Sequence, residues 1–234
     1  MNKRNLQKEL ERIISDNYPK GVFPKLLLHA CCAPCSSYCM EYLNRYFDIT
    51  IYFYNPNIDN KNEYITRVEE EKRLISEMDF VRPVLFLEGE YDPENFHKLS
   101  KGMELEPEGG KRCLSCYEMR LLKSAQEAKE RGFDYFATTL SISPMKSSQV
   151  LCEIGEKVGK IVGVEYLPSD FKKKNGFLRS TELSREYGLY RQDYCGCSYS
   201  KREAAARKAQ CSSAAKTDSA IVSASESSCR RCSS

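Results

Sequence analysis

The chain has 234 residues, 41% hydrophobic and 29% charged, a globular composition that excludes a collagen-like, coiled-coil or wholly disordered protein. This length suffices for one α/β domain with a full core. The formal net charge of +3 selects no partner, and no apolar run approaches the roughly 20 residues of a membrane span. Residues 1–10 are charged and lack the apolar stretch of a secretory signal, so a cytoplasmic protein is expected.

Apolar spacing predicts a helix from Leu6 to Ile14, a short buried strand from Lys25 to His29, and a helix from Ser36 to Arg45. Strand Asp48 to Tyr54, charged helix Glu63 to Met78 and strand Val81 to Leu87 follow. A long helix from Cys113 to Arg131 ends at Gly132. Then come strand Phe133 to Thr139, helix Pro144 to Val158, strand Ile161 to Leu167, and helices Thr181 to Tyr187 and Ser198 to Lys208. Strands alternating with helices of this length imply βαβ units, hence an α/β fold with a parallel sheet flanked by helices and a ligand crevice beyond the carboxyl ends of the strands. Residues 1–210 read as a single domain. Residues 211–234 are rich in Ser and Ala and carry too little apolar surface to fold alone, so they read as a disordered tail.

The number that discriminates is twelve cysteines. A reducing cytosol argues against a disulfide framework, which leaves metal ligation or redox chemistry. In HACCAPCSSYC, Cys31 and Cys32 converge only if the chain leaves the strand there, and Pro34 favours that exit. Adjacent cysteines suit a polynuclear iron–sulfur cluster better than a single zinc ion, whose ligands are usually spaced by two to four residues. Cys113 and Cys116 share one face of a helix start, where the helix dipole, Lys111 and Arg112 are expected to favour thiolates. Cys195 and Cys197 flank one glycine; a bridge between them would close a small strained ring that cycles easily. Cys39 and Cys152 read as ordinary buried thiols. Cys211, Cys229 and Cys232 lie in the tail, where one CxxC supplies half a metal site.

HACCAPCS, RCLSCYEMRL, TTLSISPMK, DFKKKNG and YRQDYCGCSYS, in this order from about Leu26 to Lys201, resemble the QueH type of epoxyqueuosine reductase. The resemblance implies a Rossmann-like domain similar to adenine nucleotide alpha-hydrolases, with a cysteine-rich metal site at the strand carboxyl ends. It implies a [4Fe-4S] cluster on Cys31, Cys32, Cys113 and Cys116, and a redox-active, disulfide-forming pair at Cys195 and Cys197. It also suggests an additional mononuclear iron, for which Cys35 is the expected ligand. The implied reaction is reduction of epoxyqueuosine to queuosine at the wobble position of tRNA, the last step of queuosine biosynthesis, fed by an unidentified electron donor.

Converting an epoxide to an alkene consumes two electrons and two protons, and an iron with an open position could bind the oxygen as a Lewis acid. Asp193 and Tyr194 are candidate proton donors by adjacency alone, with a structural role as the plainer reading. His29 reads as a core histidine before it reads as an acid. Lys172, Lys173 and Lys174, with Arg179, Arg185 and Arg191, could form a basic face for tRNA phosphates, or a solvated one. Ser143-Pro144 resembles a helix cap followed by proline at the first helical position, and Asn55-Pro56-Asn57 a strand-ending turn beside the pocket. No Walker A, G-x-G-x-x-G or H-E-x-x-H segment is present. Two other classes fit the cysteines: a zinc-stabilised nucleic-acid-binding module, and a disulfide oxidoreductase without a cluster.

Overall fold

The computed structural model describes residues 4–210; the tail expected at 211–234, with Cys211, Cys229 and Cys232, lies outside them. Helix α1 spans Leu6–Asn17, strand β1 Lys25–His29, α2 Ala33–Leu43, β2 Asp48–Phe53, α3 Lys61–Glu77 and β3 Leu85–Glu88. Then follow α4 Pro93–Ser100, α5 Lys111–Glu130, β4 Tyr135–Thr138, α6 Ser148–Val162, β5 Glu165–Tyr166 and α7 Gly176–Glu186, and a last helix, α8, covers 198–210.

All strand pairs are parallel and the sheet order is β3-β2-β1-β4-β5. β1 is central, with Leu28 opposite Ile51 on one side and Ala137 on the other. A strand buried on both faces needs an unbroken apolar run, which Leu26, Leu27 and Leu28 supply. Alternation then divides them. Leu26 and Leu28 pack with Met40, Leu43 and Leu74 of α2 and α3, while Leu27 packs with Leu121, Ala125 and Val158 of α5 and α6. The chain winds from β1 outward to β3 and returns to start β4 on the other side of β1. That reversal opens a crevice at the carboxyl ends of β1 and β4.

The strands and most helices fall near where periodicity places them, with several differences. The last strand shrinks to Glu165–Tyr166, because α6 runs on through Ile161 to Val162 until Gly163 ends it at φ 81°, and α7 begins at Gly176 rather than Thr181. The third strand begins at Leu85 rather than Val81. Helix α4 was not anticipated; Asp92 caps it by accepting from the Asn95 N–H, and Pro93 follows at its start. Helix α6 starts at Ser148, not Pro144, and Ser147 is its cap, accepting from the Val150 N–H. Ser143 instead opens a turn, its carbonyl accepting from the Lys146 N–H at 3.1 Å. Among the described residues no helix is long and apolar enough to cross a membrane.

Candidate active site

β1 ends at His29, and Ala30 continues its ladder by donating to the Tyr52 carbonyl at 3.0 Å. Cys31 and Cys32 leave the strand. Cys32 is the N-cap of α2, with Pro34 in the first turn and no side-chain cap bond, so that helix N-terminus opens toward the thiols. Cys35 sits one turn in. The sulfurs of Cys31, Cys32 and Cys35 all lie within 4.8 Å of one another, with 3.7 Å between Cys31 and Cys32.

Such close thiols titrate as a unit. Hydrogen bonds from Cys32 and then Cys35, with Arg120 and Lys146 nearby, hold the Cys31 thiol well below its usual range. The same bond to Cys31 pushes Cys32 up to about 12, and Cys35 is raised by its bonds to both neighbours. The shared hydrogen bonds thus favour ionisation at Cys31 over its two neighbours.

α5 brings the next two cysteines. Cys113 is half-buried and packs on the cluster of Cys31, Cys32, Tyr117 and Leu140. Cys116 lies one turn further, buried with Phe96 and Cys197. Neither belongs to the tight triad. Burial raises the Cys113 thiol and pushes Cys116 up to about 12, so desolvation outweighs the helix start and the basic residues expected to favour thiolates there. Arg112 is itself buried, donating to the Met103 and Glu106 carbonyls at 3.0 and 2.6 Å.

The Cys195-Gly196-Cys197 loop closes the site from the other side. Both cysteines are free thiols. Gly196 has φ 130°, and a Cβ there would lie 2.8 Å from Ile58 Cγ1, so only glycine fits. Arg67 of α3 donates to the Cys195 carbonyl at 3.1 Å and pairs with Glu63 at 2.8 Å. Asp59 accepts from the Ser198 N–H at 2.8 Å, anchoring the start of α8. Cys195 and the triad line one cavity of about 310 Å³, together with Met145, Lys146, Phe177 and Tyr194. A larger cleft of about 780 Å³ involves Arg4, Lys129 and Glu165 and contains no cysteine.

The family profile described as "Epoxyqueuosine reductase QueH" matches residues 26–203. A Staphylococcus epidermidis protein named epoxyqueuosine reductase QueH is 46% identical over 199 residues, 83% of this chain and 84% of the relative. One from Streptococcus pyogenes with the same name is 49% identical over 185 residues, covering 78% and 72%. The Thermotoga maritima protein of that name is 35% identical over 193 residues, covering 80% and 95%. This chain belongs to the QueH family.

Within this QueH chain the structure gathers Cys31, Cys32 and Cys35 tightly, places Cys113 and Cys116 on the flanking helix, and sets Cys195 on the shared cavity with Cys197 behind it. Cys39 and Cys152 are buried in the two apolar clusters and do not line that cavity, Cys39 donating to the Cys35 carbonyl at 3.3 Å. His29 is fully buried; its Nδ1 lies 2.9 Å from Thr138 Oγ1, and desolvation pushes its pKa down to about 3. It is a neutral core histidine. Asp193 pairs with Lys208, whose hydrogen bond lowers the carboxyl pKa. Tyr194 stacks under Arg67 at 5.3 Å.

Three of the six basic residues considered for a phosphate-binding face have acidic partners within the protein. Lys172 Nζ donates to the Ser141 carbonyl at 2.7 Å and Ser148 Oγ at 2.6 Å and pairs with Asp170 at 3.2 Å. Lys174 pairs with Glu11 and Arg179 with Glu41. Lys172 is thus a staple across the loop that presents Lys146.

Sequence reading missed the buried charges. Arg67, Arg112 and Arg120 are 1%, 1% and 0% exposed. Arg120 and Lys146 lie inside RCLSCYEMRL and TTLSISPMK, where the short segments could have flagged them. Arg67 and Glu71 sit in a helix that reads as merely charged, and no local signal marks their buried face.

Proposed function

We propose that this chain reduces the epoxide of epoxyqueuosine in tRNA to the alkene of queuosine, with a [4Fe-4S] cluster held by Cys31, Cys32, Cys113 and Cys116. The observation that supports the reading is the gathering of Cys31, Cys32 and Cys35 within 4.8 Å at the β1 end, with Cys113 packed against them and Cys195 lining the same cavity. The donor set fits the group. Thiolates are the ligands of such clusters, and the anionic assembly they form meets buried cations here, among them Arg120, whose Nη1 has no hydrogen-bond partner. When bound, the cluster supplies electrons one at a time.

The remaining residues divide the work. Cys195 and Cys197 hold two electrons and two protons as a dithiol: epoxide plus two thiols gives alkene, water and one disulfide. An external reductant of unidentified class then restores the thiols. Lys146, on the turn opened by Ser143, places its ammonium near Cys195, Tyr117, Cys31 and Cys35, where positive charge stabilises oxygen as its C–O bond breaks. Cys35 is left to bind an additional mononuclear iron. The cytoplasm, where thiols stay reduced, is the compartment in which these free cysteines persist.

The test is anaerobic purification followed by iron and sulfide analysis and nucleoside analysis of epoxyqueuosine-containing tRNA after incubation with reductant. Brown protein with about four irons per cluster and appearance of queuosine are expected. A colourless zinc protein, or a cluster protein that leaves epoxyqueuosine unchanged, would refute the proposal.

A further inference from the structure

The group in the site least explained by protein contacts is Arg120. It lies on α5 four residues beyond Cys116 and seven beyond Cys113, hence on the same helix face. Its side chain is fully buried. Nη2 donates to Asn55 Oδ1 at 2.5 Å and Nε donates to His29 Nε2 at 3.3 Å. That His29 nitrogen also lies 3.2 Å from the Tyr54 carbonyl oxygen. A guanidinium nitrogen can only donate, so Nε2 is the acceptor and the carbonyl merely touches it. Both holders of Arg120 are therefore neutral. Asn55 is fixed in turn by donating to the Ala30 carbonyl at 2.8 Å.

A guanidinium removed from water costs several kcal/mol unless an anion compensates it. Arg67 has Glu63 and Arg112 has Glu203; no ion pair joins Arg120 to any described carboxylate. Its free Nη1 has no partner, and the groups that act on its charge are the sulfurs of Cys116, Cys195 and Cys31. Arg120 is thus held by neutral Asn55 and His29, while the site's sulfurs act on its charge.

We infer that Arg120 is the charge-compensating positioning residue of the thiolate centre, making the cluster easier to reduce by setting a fixed, buried positive charge against the electron it gains. This rests on the proposed cluster. A permanent cation acts here through a low-dielectric interior, where charge interactions are strong and salt does not screen them. A strut joining α5 to the ends of β1 and β2 would need only the hydrogen bonds.

The test compares wild type with Arg120→Lys, Arg120→Gln and Arg120→Met, each purified anaerobically and reconstituted, by iron content and spectroelectrochemical reduction potential. The neutral variants are expected to show at least a tenfold smaller equilibrium constant for one-electron reduction, about 59 mV more negative, with the lysine variant close to wild type. Equal potentials in wild type and a cluster-bearing neutral variant overturn the inference. If neither neutral variant holds iron, the lysine variant decides: retention supports the charge role, and loss makes Arg120 a strut and overturns it. Wild type that takes up no cluster defeats the proposed function itself, and this inference with it.

Discussion

Glu71 offers a test of the buried charge around the site that needs no substrate. It lies on α3, fully buried, accepting from Ser36 Oγ while its Oε2 has no partner. Desolvation raises its carboxyl pKa from 4.5 to about 8. Between those values the folded chain keeps a proton that the unfolded chain has lost, so the group's contribution is fully present below pH 4.5 and declines as pH rises through about 8. Integrating the proton difference from about pH 6 to about pH 9 gives a loss of about 2.7 kcal/mol. Glu71→Gln keeps an acceptor for Ser36 and cannot ionise. Groups that do not act on Glu71 are common to both proteins and cancel in the difference, whereas the charge of Cys31, which helps raise the Glu71 pKa, is part of the effect being read. Urea unfolding under anaerobic, reducing conditions should therefore show the glutamine variant gaining on wild type by roughly 2–3 kcal/mol from the acid to the alkaline end of that range. A difference that stays constant to within about 0.5 kcal/mol would show that Glu71 does not change protonation on folding, and the argument from burial would be wrong.

Cys195→Ser and Cys197→Ser should each retain the brown chromophore and its iron while stopping queuosine formation; loss of iron in both would move the pair into metal ligation. Lys146→Met should slow conversion by roughly 100-fold with unchanged cluster absorbance, and unchanged turnover would remove Lys146 from the chemistry. Lys172→Met should cost about 2 kcal/mol in stability and leave the salt dependence of tRNA binding as it was; a flatter salt slope would restore the phosphate-contact reading.

The central strand was visible in the sequence, while the order of its neighbours came only from the structure. An unbroken LLL run could only be a strand covered on both faces, and Cys31 and Cys32 after it had to lie at the strand's carboxyl end. The start of α6 was misplaced because Ser143-Pro144 satisfies the same local pattern as a cap. Its carbonyl instead closes a turn on Lys146, and the true cap, Ser147, is set by where Lys172 ties the loop down. The partners of the lysine run were hidden for a related reason. Charge in a sequence carries no information about its partner, and the partners of Lys172 and Lys174, Asp170 and Glu11, are fixed only by folding.

The same asymmetry explains why the cysteines were legible and the cations were not. The cysteines come in groups whose close spacing puts them on one helix face or strand end, so they are visible locally: Cys31 with Cys32 and Cys35, Cys113 with Cys116. A compensating cation need only arrive in the right volume. Arg67 reaches the 195–197 loop from α3, Arg120 reaches the strand ends from α5, and Lys146 comes from a turn after β4. None is near another in the chain. Arg67 has Glu63, but the burial of Arg120 is costly without an anion and becomes favourable once thiolate charge accumulates near it. The protein's own polar framework, including neutral His29 and Asn55 behind Arg120, therefore holds positive charge in place before any substrate arrives. That arrangement suits a centre that must accept an electron and steady a departing oxygen in the same small cavity.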